Sequence, residues 1–210
     1  MGHLAISEGM TYAYRVRHGV IALPLIGSMT LPGGIMAGMT TLGAVHTAIA
    51  LVGFGAGIAA LLRDYEIRFN NRTGKFYVAA TFLAAFSGLF IFNHGGFGPP
   101  QVLSLLTILT LLAGVLASTT RVFGKLSDYV EIISFSTTLL FHLIPAFTES
   151  LIRLPVGAPW LASPDAPEFQ AIYGALFVLY GIGLTLQLRW FKASRNGSAT
   201  TISREPGAVA

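Results

Sequence analysis

Four side chains in this sequence stand in apolar surroundings and could do chemistry there: His46, His94, His142 and Glu149. An ionisable group inside a hydrocarbon-like segment is costly, so its position marks a bundle interior or a functional site. Imidazoles from facing helices are usual ligands of b-type haem and of copper or zinc. His46 and His142 are therefore the candidate cofactor-binding pair. His46, His94, His142 and Glu149 are the candidate metal ligands, with haem b or a transition metal as the implied cofactor. A second chemistry is proton exchange, with His142 and Glu149 as the titrating pair. The third reading is structural, since an intramembrane histidine can simply hydrogen-bond a neighbouring helix.

Spacing supports a common face. Glu131, Thr138, His142, Glu149 and Arg153 recur at i, i+7, i+11, i+18 and i+22, one stripe of a helix. Arg153 lies at i+4 from Glu149 and can pair with it. Pro145 removes a backbone donor and frees the carbonyl of Phe141, beside His142. His46 shares a helical face with Ala50, Gly53 and Gly57, and the last two form a G-x-x-x-G pair that lets helices approach closely. A rise of ~1.5 Å per residue puts His46 about 6 Å and His142 about 15 Å below the outer boundary. The two depths must converge if one haem is to be shared.

Other chemistries lack their residues. There is no cysteine, which removes disulfides, thiolate nucleophiles and iron–sulfur ligation. There is no P-loop, G-x-S-x-G, H-E-x-x-H or G-x-G-x-x-G. Enzymatic activity therefore has no support in the sequence. The remaining polar residues read as interhelical contacts: Ser104, Thr107, Thr110 and Ser118 in one span, Ser134, Ser136, Thr137 and Thr138 in another. The mixed-charge segment 63–75 reads as a solvated, lipid-facing loop. Phe76, Phe82, Phe86, Phe90 and Phe92 read as lipid contacts.

The elements that must carry these residues are transmembrane. Of 210 residues 53% are apolar and 10% charged, and the mean hydropathy is +0.68. Soluble domains carry about 25% charged residues, so a water-soluble enzyme, a disordered chain and a nucleic-acid-binding domain are excluded. Residues 18–62 and 76–120 contain no Asp, Glu, Lys or Arg, and each stretch can hold two spans of about 20 residues. Residues 76–93 and 101–119 form a helical hairpin broken at 94–100. Residues 42–62, 129–152 and 169–188 are further spans. Residues 19–40, with Pro24, Pro32, Gly33 and Gly34, form a kinked span, a re-entrant or interfacial segment, or a cleaved signal; the kinked span ranks first. The expected fold is all-α, a polytopic bundle of six spans or five plus a re-entrant segment. It divides into a cytoplasmic segment 1–18, a bundle 19–192 and a disordered cytoplasmic tail 193–210. With six spans, every one of the 13 Lys and Arg residues except Arg153 lies on one side, which places both termini in the cytoplasm. The pI of 9.6 then reports topology and contact with anionic lipid. Trp190 and Tyr129 mark the inner boundary, and Trp160 lies in the outer loop.

The stretch Asn70-Asn71-Arg72-Thr73-Gly74-Lys75-Phe76-Tyr77-Val78 follows a histidine-bearing span. It resembles a family of small bacterial multi-pass membrane proteins known only as a domain of unknown function. Their loop reads roughly His-Arg-x-x-Gly-Arg-x-Tyr-Val. Gly74, Lys75, Tyr77 and Val78 match it, whereas Asn70 and Asn71 stand where the family has His and Arg. The segment from Phe141-His142 through Glu149 to Arg153-Leu154-Pro155 also resembles a subgroup. The resemblance implies a bacterial inner membrane and brings no established activity. The leading expectation is an accessory or complex-associated membrane protein binding haem or a metal. A small proton-coupled transporter and a purely structural subunit are the alternatives. The bilayer and other membrane-complex subunits are its expected partners, and nucleic acid is not.

Overall fold

The computed structural model describes residues 13–16, 19–22, 40–92 and 96–202, with side chains from 40 to 196 apart from 93–95. Two units separate, residues 1–41 and 42–210. In the first, strands β1 (Ala13–Val16) and β2 (Gly19–Ala22) pair antiparallel, with Val16 opposite Gly19 and Ala13 opposite Ala22. The expected span over 19–40 is thus corrected at its start. Val16, Val20 and Ile21 are β-branched and favour a paired strand over a helical first turn. Residues 23–39 lie outside the described residues.

The second unit is helical: α1 (Thr41–Asp64), α2 (Arg72–Gly88), α3 (Pro99–Thr120), a 3-10 turn at Gly124–Leu126, α4 (Ser127–Arg153) and α5 (Glu168–Ile202). Four segments are long and apolar enough to cross a membrane: α1, α3, α4 with its preceding turn, and α5. The chain is a membrane protein. Its α2, with 17 residues, is about 26 Å long at ~1.5 Å per residue, short of a core about 30 Å thick. The expected span to residue 93 stops at Gly88, where Leu89, Phe90 and Ile91 close with tight turn bonds to Phe86, Ser87 and Gly88. α5 runs past Ser194, where the composition predicts a disordered tail, because no proline interrupts it before Pro206. Residues 203–210 lie outside the described residues.

The starts of α2 and α3 have chemical causes. Asn71 caps α2: its Oδ1 accepts from the Gly74 N–H at 2.7 Å, and its amide donates to Asp64 at 3.3 Å. Pro99 and Pro100 open α3, where a missing N–H is harmless. Gln101 closes the hairpin by accepting from the Gly98 N–H and donating to the Ile91 carbonyl. The core is Ala60, Ile67, Tyr77, Val78, Leu111, Phe135 and Leu139. On α1 the G-x-x-x-G face makes the contact: a Cβ at Gly53 would lie 3.2 Å from the Ala80 Cβ, and one at Gly57 2.8 Å from Leu139 and Tyr77. The five phenylalanines of residues 76–92 are exposed, as lipid-facing residues must be.

The 63–75 loop corrects the expectation of a solvated segment. Ile67 belongs to the core, and Arg68 meets Glu66 at 3.0 Å, Asp128 at 3.2 Å and Glu131 at 3.0 Å. Glu131 also accepts from the Phe69 N–H at 2.8 Å. The Arg68 guanidinium lies 4.9 Å from the Phe191 ring, which also carries Arg195 at 5.5 Å. Burial works against the Arg68 cation, but the Glu66 and Glu131 carboxylates outweigh it and hold its pKa above the ordinary value. The partners of Arg68 on α4 lie 60 residues and more away in sequence, so loop composition alone could not reveal the docking.

Gly74 seals this loop, because a Cβ there would sit 1.8 Å from the Arg68 carbonyl oxygen. Gly74→Ala should therefore destabilise the protein by about 3 kcal/mol, the upper range for overpacking. Gly55, with nothing within 4 Å, is the control: Gly55→Ala should be neutral or gain up to about 1 kcal/mol of helix propensity. Thermal unfolding in detergent measures both, and equal shifts would contradict the close approach at Gly74.

Candidate functional site

The buried seam of the bundle is built from α1, α2 and α4. Tyr77 is wholly buried on α2, and a buried phenol needs a partner. Its Oη donates toward the Phe135 carbonyl at 3.2 Å and shares a 2.8 Å bond with Thr138 Oγ1. Thr138 itself donates to Phe135 O at 2.9 Å. One turn along α4, His142 lies with its ring 6.2 Å from Tyr77 and 6.4 Å from Phe54 of α1. Its Nδ1 is 2.9 Å from the Thr138 carbonyl. A carbonyl only accepts, so Nδ1 carries the proton. In the neutral ring Nε2 is then the lone-pair nitrogen, and it is buried with no hydrogen-bond partner.

His46 stands two turns along α1 from Phe54, toward the α3 start. Its Nδ1 is 3.1 Å from Ser87 Oγ, and that hydroxyl donates to Ala84 O at 2.9 Å. A Cβ on Gly88 would meet Ser104 Oγ at 2.6 Å and His46 Cε1 at 3.2 Å, so glycine makes room for this contact. His46 lies within electrostatic range of both Glu149 and His142. Glu149 pairs with Arg153 at the exposed end of α4, as the i+4 spacing predicts.

The predicted α4 stripe is buried at Glu131 and Thr138, part-buried at His142 and exposed at Glu149, and it is uneven in its roles. Glu131 serves the Arg68 ion pair, Thr138 the Tyr77 bond, and only His142 keeps a free buried nitrogen. Among the described residues no three His, Asp or Glu side chains gather closely enough to hold a metal ion. The structure brings His46, His142 and Glu149 into one neighbourhood without converging them on a point. His94 lies outside the described residues.

Reading the sequence for ionisable groups missed Tyr77 and Thr81, both fully buried at i and i+4 on α2. The signal was a tyrosine within an apolar span, which must find a partner. It also missed the α4–α5 seam, where three bonds of 2.7 Å join Thr148 to Tyr173, Thr137 to Tyr180 and Ser136 to Gln187. Tyr173, Tyr180 and Gln187 recur at i, i+7 and i+14, a polar stripe visible in the sequence. The interhelical role expected of Ser136 and Thr137 is what these bonds show.

No family model, curated protein or solved structure matches the chain. The resemblance on Gly74, Lys75, Tyr77 and Val78 thus stands on those residues alone, and two of them have strong local reasons: Gly74 for close approach, Tyr77 for the buried bond.

Tyr77→Phe keeps the ring and deletes the hydroxyl. It should cost about 1–2 kcal/mol, the usual worth of a lost buried hydrogen bond. Thermal melts in detergent check this, and an unchanged melting temperature would mean that the Tyr77–Thr138 bond does not hold α2 on α4.

Proposed function

We propose that this chain is a non-enzymatic protein of a bacterial cytoplasmic membrane that handles protons along the α1–α2–α4 seam. It acts as a small proton-coupled carrier or as an accessory subunit of a membrane complex. The observation that carries the reading is His142, whose imidazole is oriented through Nδ1–H and offers a free Nε2 lone pair within the bundle. Chains of Asp, Glu and His inside a membrane are characteristic of proton relays. Glu149 at the exposed end of α4 and His142 deeper along the same helix, with His46 in electrostatic range of both, are the groups such a relay would use.

Four helices are long and apolar enough to cross a membrane; the six-span reading adds α2 and a span within residues 23–39, which lie outside the described residues. The one-sided distribution of Lys and Arg supports cytoplasmic termini. Because there is no cysteine, single cysteines report topology without background. Gly96→Cys should react with an impermeant maleimide from the periplasm, and Asn71→Cys only after permeabilisation. Reversed labelling would turn the protein over.

For the relay, purified protein in vesicles with an entrapped pH dye should relax an imposed pH gradient faster than protein-free vesicles. His142→Ala should return the rate to that of protein-free vesicles. Wild-type vesicles that relax no faster than empty ones would refute proton conduction.

A second reading has its own support. A ring fixed by Nδ1–H on a carbonyl is oriented as metal-bound imidazoles are, which fits His142 as a single ligand of haem b or a transition metal. Oxidised and reduced absorption spectra with elemental analysis separate the two. Colourless, metal-free protein leaves the proton reading; a Soret band or stoichiometric metal replaces it.

A further inference from the structure

Two polar atoms in the seam are buried and lack partners: Thr81 Oγ1 and His142 Nε2. The Tyr77–Thr138 bond of 2.8 Å fixes which turns of α2 and α4 face each other. Thr81 is four residues beyond Tyr77 and His142 four beyond Thr138, so the orphaned atoms belong to the next pair of facing turns. Both flank Tyr77: Thr81 lies beside its phenol, and the His142 ring is 6.2 Å from its ring.

Thr81 also differs from seven of the helical threonines. Thr47, Thr107, Thr119, Thr120, Thr137, Thr148 and Thr185 each donate to the carbonyl four residues back. Thr81, fully buried, makes no such bond, and its hydroxyl faces the Tyr77 phenol without closing a full hydrogen bond to it. A buried polar atom without a partner carries the full penalty of its lost hydration.

We propose that Thr81 and His142 together bind one water molecule. The water donates one hydrogen to His142 Nε2 and accepts the Thr81 hydroxyl proton, which satisfies both atoms. A buried water makes about three such bonds, and the Tyr77–Thr138 pair one turn back offers a further oxygen. The ligand class follows from the lone pair: Nε2 accepts, so the molecule must donate. The water site rests on the relay reading for its role, as the carrier that takes a proton between His142 and the hydroxyls of Tyr77 and Thr138.

The test is nitrogen-15 NMR of histidine-labelled protein in nanodiscs, read at the His142 ring. In the wild type Nε2 should resonate as an unprotonated, hydrogen-bonded acceptor. Thr81→Val, isosteric and without the hydroxyl, should move Nε2 downfield toward the value of a free lone pair, with Nδ1–H unchanged. Thr81→Ser should restore the wild-type shift. An Nε2 resonance identical in wild type and Thr81→Val would overturn the site. If Thr81→Val does not fold, the wild type still decides: a rotating-frame cross-peak from water to the Thr81 methyl and His142 Hε1 is expected, and its absence refutes the proposal. The relay fails separately, because a shifted Nε2 in protein that does not relax a pH gradient keeps the water and discards the conduction.

Discussion

Glu131 is a carboxylate almost wholly enclosed at one end of the bundle, and a buried charge persists only with a counter-charge and hydrogen bonds around it. Arg68 supplies the charge and the Phe69 N–H a further donor. That requirement decides the path of the chain between α1 and α2. The loop has to fold under α4, Ile67 enters the core as it does so, and Arg68 gathers Glu66 and Asp128 on its other side. Asp128 in turn takes Arg121 at 2.6 Å and Arg195 at 3.7 Å, so α3 and α5 are drawn to the same point. The α1–α2 loop, the end of α3 and α5 thus meet at one acidic end of α4.

Once the loop is held, the register of the remaining contacts follows. Asn71 caps α2 one turn after Arg68, and Gly74 lets the first turn of α2 lie against the Arg68 carbonyl. This sets Tyr77 opposite Thr138 and Gly57 against Tyr77 and Leu139. Small residues bring α1 near enough for Phe54 to reach His142. The polar seam is thus a consequence of the ionic end, transmitted by helix geometry. On its other face α4 uses three hydroxyl bonds to α5. Those suffice in a lipid environment, where apolar side chains gain little by leaving the hydrocarbon for a helix neighbour.

Much of this was legible in the sequence where a single element decides the outcome. The limits of α1 at Thr41 and Asp64, the α2–α3 hairpin, and the α4 stripe follow from charge-free runs, breakers and helical spacing. What was hidden is pairwise and distant. Nothing in Arg63 to Lys75 indicates that Glu131 waits for Arg68, so the loop read as solvated. Residues 19–22 read as helix because apolar content outweighed the β-branched Val20 and Ile21, and their pairing with 13–16 is a relation between segments. The candidate ligands were chosen by residue type, and type does not say whether side chains converge. His46 is spent on Ser87, Glu149 on Arg153, and His142 alone is left with a free nitrogen.

That uneven division argues about chemistry. A metal ion asks several donors to point at one centre, whereas a relay asks for donors spaced along a path with their tautomers fixed. His142 donates through Nδ1 to a carbonyl, so its Nε2 is what it can offer to a moving proton. Pro145, just beyond His142, keeps this part of α4 from closing its own backbone bond to Phe141 and adds an acceptor near the same turn. Among the described residues the seam has donors and acceptors in succession, without the convergence of a ligand cage. On that difference the proton reading stands ahead of the metal one.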